Sequence, residues 1–370
     1  MTEPKYLGII SPSEIQQLKL ARKEGRTHPV ADLALAEPGD CQTATNTEQS
    51  ARTIGRKNAT WLAGLRSRLL DEKDFTNASS ALGEIRAYGA LLETWMTVGP
   101  VPLVDGKAVS PEFEVSAGDG SVIVEVHSKQ PDKAQARAIA TNAREHETKH
   151  RSAVEKARKT GTAKPVTTVS ELVVTPFGAP ALGKAGDSVL TNMISRVTSI
   201  KEAEHQADVS KPFVLWLDFQ DPTVWPLSLL RHLSPLHTGR EGHVATGGLW
   251  YGLYGRKEDP MIESDELSYK TCRMLHHGRF SMPNRTHGGP TRVSAVVYSL
   301  PRAIVLMENP AAVMPIPARW RASLLRAPFF RLELSMVEWE VGLVAAQVGI
   351  ARLAVAVAAR ALGAFDPASL

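Results

Sequence analysis

Hydrophobic and polar positions follow two rhythms along this chain, and the sharpest strand rhythm lies at residues 111–129. There Pro-Glu-Phe-Glu-Val runs into Ser116-Ala117-Gly118-Asp119-Gly120, and then into Val-Ile-Val-Glu-Val-His-Ser-Lys. Glycine takes positive φ freely and Asp tolerates it, so the central five residues predict a turn between two β-strands. β-branched and aromatic residues fill the flanks. Side chains two apart share a strand face. The pattern therefore groups Glu112 with Glu114, and Glu125 with His127 and Lys129, while Val122, Val124 and Val126 point the other way.

Elsewhere a helical period takes over. Ser11-Pro12-Ser13-Glu14 is a capping box with Pro at the first helical position, which predicts a helix to Lys23, ended by Gly25. Residues 26–50, rich in Pro, Asp, Thr and Asn, predict loop. Residues 51–70 predict a basic amphipathic helix with Trp61, Leu62, Leu65 and Leu69 on its apolar side. The next helix, 77–97, carries Ala81, Ile85, Tyr88, Leu92 and Trp95 in a stripe, with Glu84 beside it. Gly83 and Ala87 let another element come close. Gly99-Pro100 ends it, and a short strand at 101–104 leads into the hairpin.

Residues 131–159 are dense in Lys, Arg, Glu and Ala with almost no apolar face, which predicts a solvent-exposed helical arm. A strand at 167–176, a Gly/Ala/Pro loop at 178–186 and a helix at 187–207 come next. Residues 213–219, Phe-Val-Leu-Trp-Leu-Asp-Phe, form the near-continuous apolar run of a strand covered on both faces. Further strands are predicted at 248–254, 293–299 and 303–307, and helices from 319 to the end.

Composition narrows the class. The 370 residues suffice for one large or two moderate domains. With 43% hydrophobic and 22% charged residues, a fibre or a disordered tail is excluded. A net charge of +4 and a pI near 9.0 permit a polyanionic partner without requiring one. Cys41 and Cys272 are too few for a disulfide framework and point to a reducing compartment. The N-terminus lacks the apolar core of a signal peptide. Residues 341–365 are interrupted by Gln347, Arg352 and Arg360, which suits a core helix rather than a membrane span. The expectation is a cytoplasmic protein without a membrane partner.

Carboxylates gathered on one strand face suit a hard divalent cation such as Mg²⁺. A helix with an embedded Glu, a strand, an acidic strand, a Glu-bearing strand, a helix and an apolar strand follow one another. In that order the chain resembles the PD-(D/E)xK (restriction-endonuclease-like) nuclease superfamily. Pro111-Glu112 stands where that family has Pro-Asp, Glu125-Val126-His127 where it has Glu-x-Lys, and Glu84 at the acidic position of its first helix. The helix 187–207, with Lys201 and Gln206, and the strand 213–219 complete the likeness, which covers 77–219. Two residues depart from the motif, Glu for Asp at 112 and His for Lys at 127. Lys129 shares the strand face of His127 and offers an ammonium in its place.

The resemblance implies an α/β fold: an α-β-β-β-α-β core with a mixed sheet, a charged helical insertion and a C-terminal helical region. Residues 1–75 would form an N-terminal helical region and 76–310 the nuclease-like domain, with the insertion at 130–186. Residues 311–370 would pack as helices on the same body. It implies a Mg²⁺-dependent (or Mn²⁺-dependent) nuclease, an (endo)deoxyribonuclease, that hydrolyses phosphodiester bonds. Glu112, Glu125 and the Val126 carbonyl would hold the metal, and Glu84 would ligate a second ion or position a water. His127 or Lys129 would orient the attacking water. Glu114 is the alternative ligand, since it shares a face with Glu112. The partner implied is nucleic acid, with room for a protein partner or a homodimer.

Two other readings compete. The substitutions at 112 and 127 also suit a nuclease-fold protein that binds nucleic acid without cutting it. In addition, His146-Glu147-Thr148-Lys149-His150 matches the His-Glu-x-x-His of zinc peptidases. Its neighbours Arg144, Glu145 and Arg151 leave no apolar face to shelter a zinc ion, so a charged arm fits better. His237, His243, His276, His277 and His287 lie among arginines at irregular spacings, as a polar loop surface or a phosphate track would.

Overall fold

The computed structural model describes residues 5–101, 111–128, 133–161, 210–220 and 291–324 apart from short breaks, together with 237–238, 244–245, 253–254, 257, 260–264, 269–273 and 277–281. Helix α1 (Pro12–Leu20) opens with the predicted capping box, in which Ser11 and Glu14 each bond the other's backbone. It stops at Leu20 rather than Lys23 because Ala21 turns extended, and Arg22–Lys23 (β1) pairs with Arg26–Thr27 (β2).

The segment 26–50, expected as loop, instead holds α2 (Pro29–Ala34) and the start of α3 (Gln42–Lys57). Helix α3 buries polar residues, and hydrophobic periodicity cannot see that. Thr43 Oγ1 donates to the Gln220 carbonyl at 2.7 Å, and Asn46 Nδ2 donates to Gln220 Oε1 and to the Pro301 carbonyl, both at 2.9 Å. The single helix expected over 51–70 is broken. Asn58, at φ −152° and ψ 66°, ends α3 and caps α4 (Ala59–Gly64) by accepting from the Trp61 amide; α5 (Arg66–Leu69) follows.

Helix α6 (Phe75–Leu92) is capped by Asp74, whose Oδ1 accepts from the Thr76 amide at 2.9 Å. It is buried nearly all round, including the predicted Ala81, Ile85, Tyr88 and Leu92; Trp95 lies outside the described residues. The close approaches are at Gly83, where a Cβ would overlap Ser128 Oγ, and at Gly89, where one would run into Ser50 including its Cα. The helix ends before the predicted Thr97, because Thr97–Pro100 is already strand β3; of the strand expected at 101–104, Val101 lies just past β3 and 102–104 lie outside the described residues.

Strands β4 (Phe113–Ala117) and β5 (Gly120–Ser128) form the predicted antiparallel hairpin, with Gly118 at φ +66° in its turn. Helix α7 (Lys133–Lys159) follows, and then β6 (Phe213–Asp218), buried throughout as its apolar run required. Two small hairpins pair β7 (His237–Thr238) with β8 (Val244–Ala245), and β9 (Pro260–Ser264) with β10 (Tyr269–Arg273). Strands β11 (Val293–Leu300) and β12 (Ala303–Glu308) precede α8 (Ala318–Leu324).

Six strands form one mixed sheet in the order β12-β11-β6-β5-β4-β3. β3, β4 and β5 run as an antiparallel meander, β6 lies parallel to both β5 and β11, and β12 returns antiparallel. Val122, Val124, Val126, Trp216 and Val297 share the main core with α6. The opposite face is buried too, through Ile123, Leu215, Leu217, Val296 and Tyr298. Helix α8 buries Trp320 and Leu324, and Arg321 Nη2 donates to Glu308 Oε2 at 2.8 Å. The fold is thus mixed α/β.

Leu253 and Tyr254 are buried but helical, not part of the strand expected at 248–254; the rest of that segment lies outside the described residues, as do 167–176, 187–207 and 341–365. Among the described residues no helix is long and apolar enough to cross a membrane.

Candidate active site

The antiparallel register of β4 and β5 sets the site. Phe113 pairs with Val124, so one further step places Glu112 opposite Glu125. The two carboxyl groups hydrogen-bond each other. The Val126 amide donates to Glu112 Oε2 at 2.8 Å, which binds the side chain to the neighbouring strand. From behind, Phe113 stacks on Tyr88 at 4.9 Å between ring centroids, and Trp61 meets Tyr88 edge-on at 4.7 Å. These rings join α4, α6 and β4 directly beside Glu112.

Two facing acids, Glu125 buried and Glu112 half-buried, cannot both ionise easily. Burial is the largest cause of the shift in each. For Glu112 the charge of Glu125, the bond between the two carboxyls and the charge of Glu84 add to it, taking the group from 4.5 to about 9. For Glu125 burial is partly offset by the bond from Glu112, and it rises to about 7. Both carboxyls are therefore held above the usual carboxylate range, and they titrate as a pair.

Glu84 enters the cluster from α6, and its carboxylate is held by Arg68 of α5 through Nη1 at 2.8 Å and Nη2 at 2.6 Å. His127, one residue beyond Val126, places Nε2 3.3 Å from Glu125 Oε1 and keeps its side chain 20% exposed. Glu84, Glu112, Glu125 and His127 are thus brought together. Glu114 goes elsewhere, to Lys211 Nζ at 2.6 Å. Lys129, Lys201 and Gln206 lie outside the described residues.

The donor set can be tested against a metal ion. Mg²⁺ takes oxygen ligands and is usually bound through one or two carboxylates, with waters and substrate phosphate completing its octahedron. Glu112 and Glu125 supply two carboxylates that face each other across the β4–β5 ladder, and oxygen donors of this kind fit a hard divalent ion. Among the described residues no three His, Cys, Asp or Glu side chains are arranged to hold an ion.

The zinc-peptidase motif lies on α7, where Glu147 is 70% exposed and pairs with Arg151 at 3.1 Å. Of the histidine-rich region, His277 Nδ1 accepts from the Lys257 amide at 3.2 Å, while His243, His276 and His287 lie outside the described residues.

Sequence reasoning missed three residues that shape the site: Arg68, Arg86 and Asp218. Arg86, on α6, donates to Asp218 Oδ1 through Nε at 3.1 Å, to Asp218 Oδ2 through Nη2 at 2.5 Å, and to Thr47 Oγ1 through Nη1 at 3.1 Å. A signal existed. An arginine within Leu-Gly-Glu-Ile-Arg-Ala-Tyr, on a helix with no solvated face, must find an acid inside, and an Asp closing an apolar strand is the natural partner. Comparison of the chain with protein-family models, with curated proteins and with solved structures finds no match.

Proposed function

We propose that this protein is a metal-dependent nuclease with a restriction-endonuclease-like core, hydrolysing phosphodiester bonds in DNA. The observation that carries the reading is the opposed Glu112–Glu125 pair, with His127 against Glu125 on the same strand. The arrangement around it supports the reading as well. An acid-bearing helix precedes three antiparallel strands, and the strand with Glu125 pairs parallel with the apolar β6.

Glu112, Glu125 and the Val126 carbonyl would hold the ion. When bound, a divalent metal lowers the pKa of a water and neutralises charge on the phosphate. Arg68 holds the Glu84 carboxylate in a fixed orientation beside the pair. The contact between His127 Nε2 and Glu125 Oε1 holds the ring beside the acids, where the imidazole can take up a proton. The hydrogen bond from Val126 keeps Glu112 from swinging away.

The test is cleavage of supercoiled plasmid and of single-stranded DNA with Mg²⁺ or Mn²⁺, comparing wild type with Glu125→Ala and Glu147→Ala. Metal-dependent cutting that disappears with Glu125→Ala and persists with Glu147→Ala is the expected result. Absence of cutting by the wild type on every substrate would overturn the assignment.

A further inference from the structure

Glu84 is an acid on a helix buried nearly all round, and its side chain is only 9% exposed. An acid in that position needs a cation against it. A metal ion can supply one, and so can a base. Here the guanidinium fork of Arg68 already engages both oxygens of Glu84, through Nη1 at 2.8 Å and Nη2 at 2.6 Å. A planar, two-bonded pair of this kind is both strong and directional.

The short helix α5 aims Arg68 at that spot. Its Leu69 is fully buried, while Arg66 turns to Glu14 and Arg68 to Glu84. Arg68 differs from its partner in exposure, since 37% of its side chain stays accessible. Among the described residues Glu84 is its only hydrogen-bond partner. A guanidinium carries more N–H donors than one carboxylate takes up, so Arg68 keeps donors that face outward beside the acids. Burial, the largest influence on Arg68, works against its charge. Its pKa is raised all the same, because Glu84 binds it and the charges of Glu84 and Glu112 reach it. A second divalent ion on Glu84 would meet this positive charge at close range and be repelled.

We propose that Arg68 stands where a two-ion site would hold its second metal. Glu112 and Glu125 then hold a single ion, and Glu84 anchors Arg68 instead of ligating metal. The outward N–H groups of Arg68 meet a phosphate oxygen of the substrate, where a fixed guanidinium stabilises the negative charge that gathers in the transition state. The substrate contact rests on the nuclease reading.

The test counts Mn²⁺ ions bound per chain by isothermal titration calorimetry, and follows plasmid cleavage at saturating Mn²⁺. Wild type is compared with R68M and with R68M/E84Q. The double variant removes both charges together, so no bare acid is left in the core and the test stays open if R68M alone does not fold. Wild type is expected to bind one ion. R68M, with Glu84 bare beside the pair, is expected to bind two. R68M/E84Q is expected to bind one ion with wild-type affinity and to cut at least about 100-fold more slowly.

Two ions on the wild type would overturn the proposal, as would a single ion on folded R68M. A loss of about tenfold or more in Mn²⁺ affinity by the double variant would also overturn it, because removing a group that holds or orients a metal ligand carries that cost. Cutting by the double variant at the wild-type rate would rule out the phosphate contact. One ion on the wild type without any cutting would sink the nuclease reading and leave Arg68 in place of the second ion. Two ions with metal-dependent cutting would do the reverse.

Discussion

Arg86 grips both carboxylate oxygens of Asp218, with the two side chains only 4% and 2% exposed. This bond ties α6, two residues past Glu84, to the end of the strand beside Glu125. A buried pair is costly to break from one side, because it leaves a bare charge in the core. Arg86→Met should destabilise the fold by about 3–5 kcal/mol. Pairing it with Asp218→Leu should recover much of that loss. Urea denaturation of the single and double variants measures both, and a single variant as stable as wild type would contradict the account.

Relief of the acid pair should show in the opposite direction. Glu125→Gln removes the buried member of two facing acids, and in EDTA it should be more stable than wild type by about 1–3 kcal/mol. With Mg²⁺ the order should reverse. The wild type should gain melting temperature and the variant should not, since only binding to the folded state stabilises it. Cleavage by the variant should fall by more than ~100-fold, the upper end for losing a mere supporting residue of a metal site. Thermal melts with and without Mg²⁺ separate these outcomes.

His28 supplies a pH dependence remote from the acids. It is fully buried, its Nδ1 accepts from the Val30 amide at 3.3 Å, and its Nε2 lies 3.3 Å from the Asp71 carbonyl. Burial, above all, holds its pKa below the usual 6.5, against the smaller opposing pull of Asp71 and Glu72. The folded state then binds fewer protons than the unfolded one in that window. Stability is complete above pH ~6.5 and falls as pH drops toward the lowered value, by up to about 1.4 kcal/mol per pH unit. His28→Asn keeps a capping side chain and should flatten this limb, as read from denaturation midpoints between pH 5 and about 8.

Gly89 and Gly55 both lie in helices but should respond oppositely to alanine. A Cβ at Gly89 meets the Cα of Ser50, whereas at Gly55 nothing lies within 4 Å. Gly89→Ala should cost about 1–3 kcal/mol through overpacking, in spite of the better helix propensity of alanine. Gly55→Ala should stabilise by about 0.5–1 kcal/mol. Equal effects in chemical denaturation would refute the close crossing of α3 and α6.

The hairpin, its turn and the apolar β6 were legible in the sequence because each depends on neighbours along the chain or on burial alone. Glu112 and Glu125 were legible for the same reason, since a tight turn sets their register. Helix α3 was not. Its inner face is polar, and what makes that face buriable is Gln220, 174 residues beyond Asn46. Arg68 was hidden in the same way. Nothing near it in the chain announces Glu84, and the break at Asn58 re-aims the segment that carries it.

The parallel pairing of β5 with β6 has a consequence for how the chain folds. Glu112 and Glu125 come together through a local hairpin, whose short loop closes at little entropic cost, so the two acids meet early. The sheet itself is completed only when Phe213 finds Ile123 across the longest connection between adjacent strands in the sheet. Pairing of distant segments is slow because the chain loses loop entropy before contacts compensate for it. Folding kinetics should therefore be governed by the apolar β6, and the facing acids would form part of the nucleus rather than the last piece to lock.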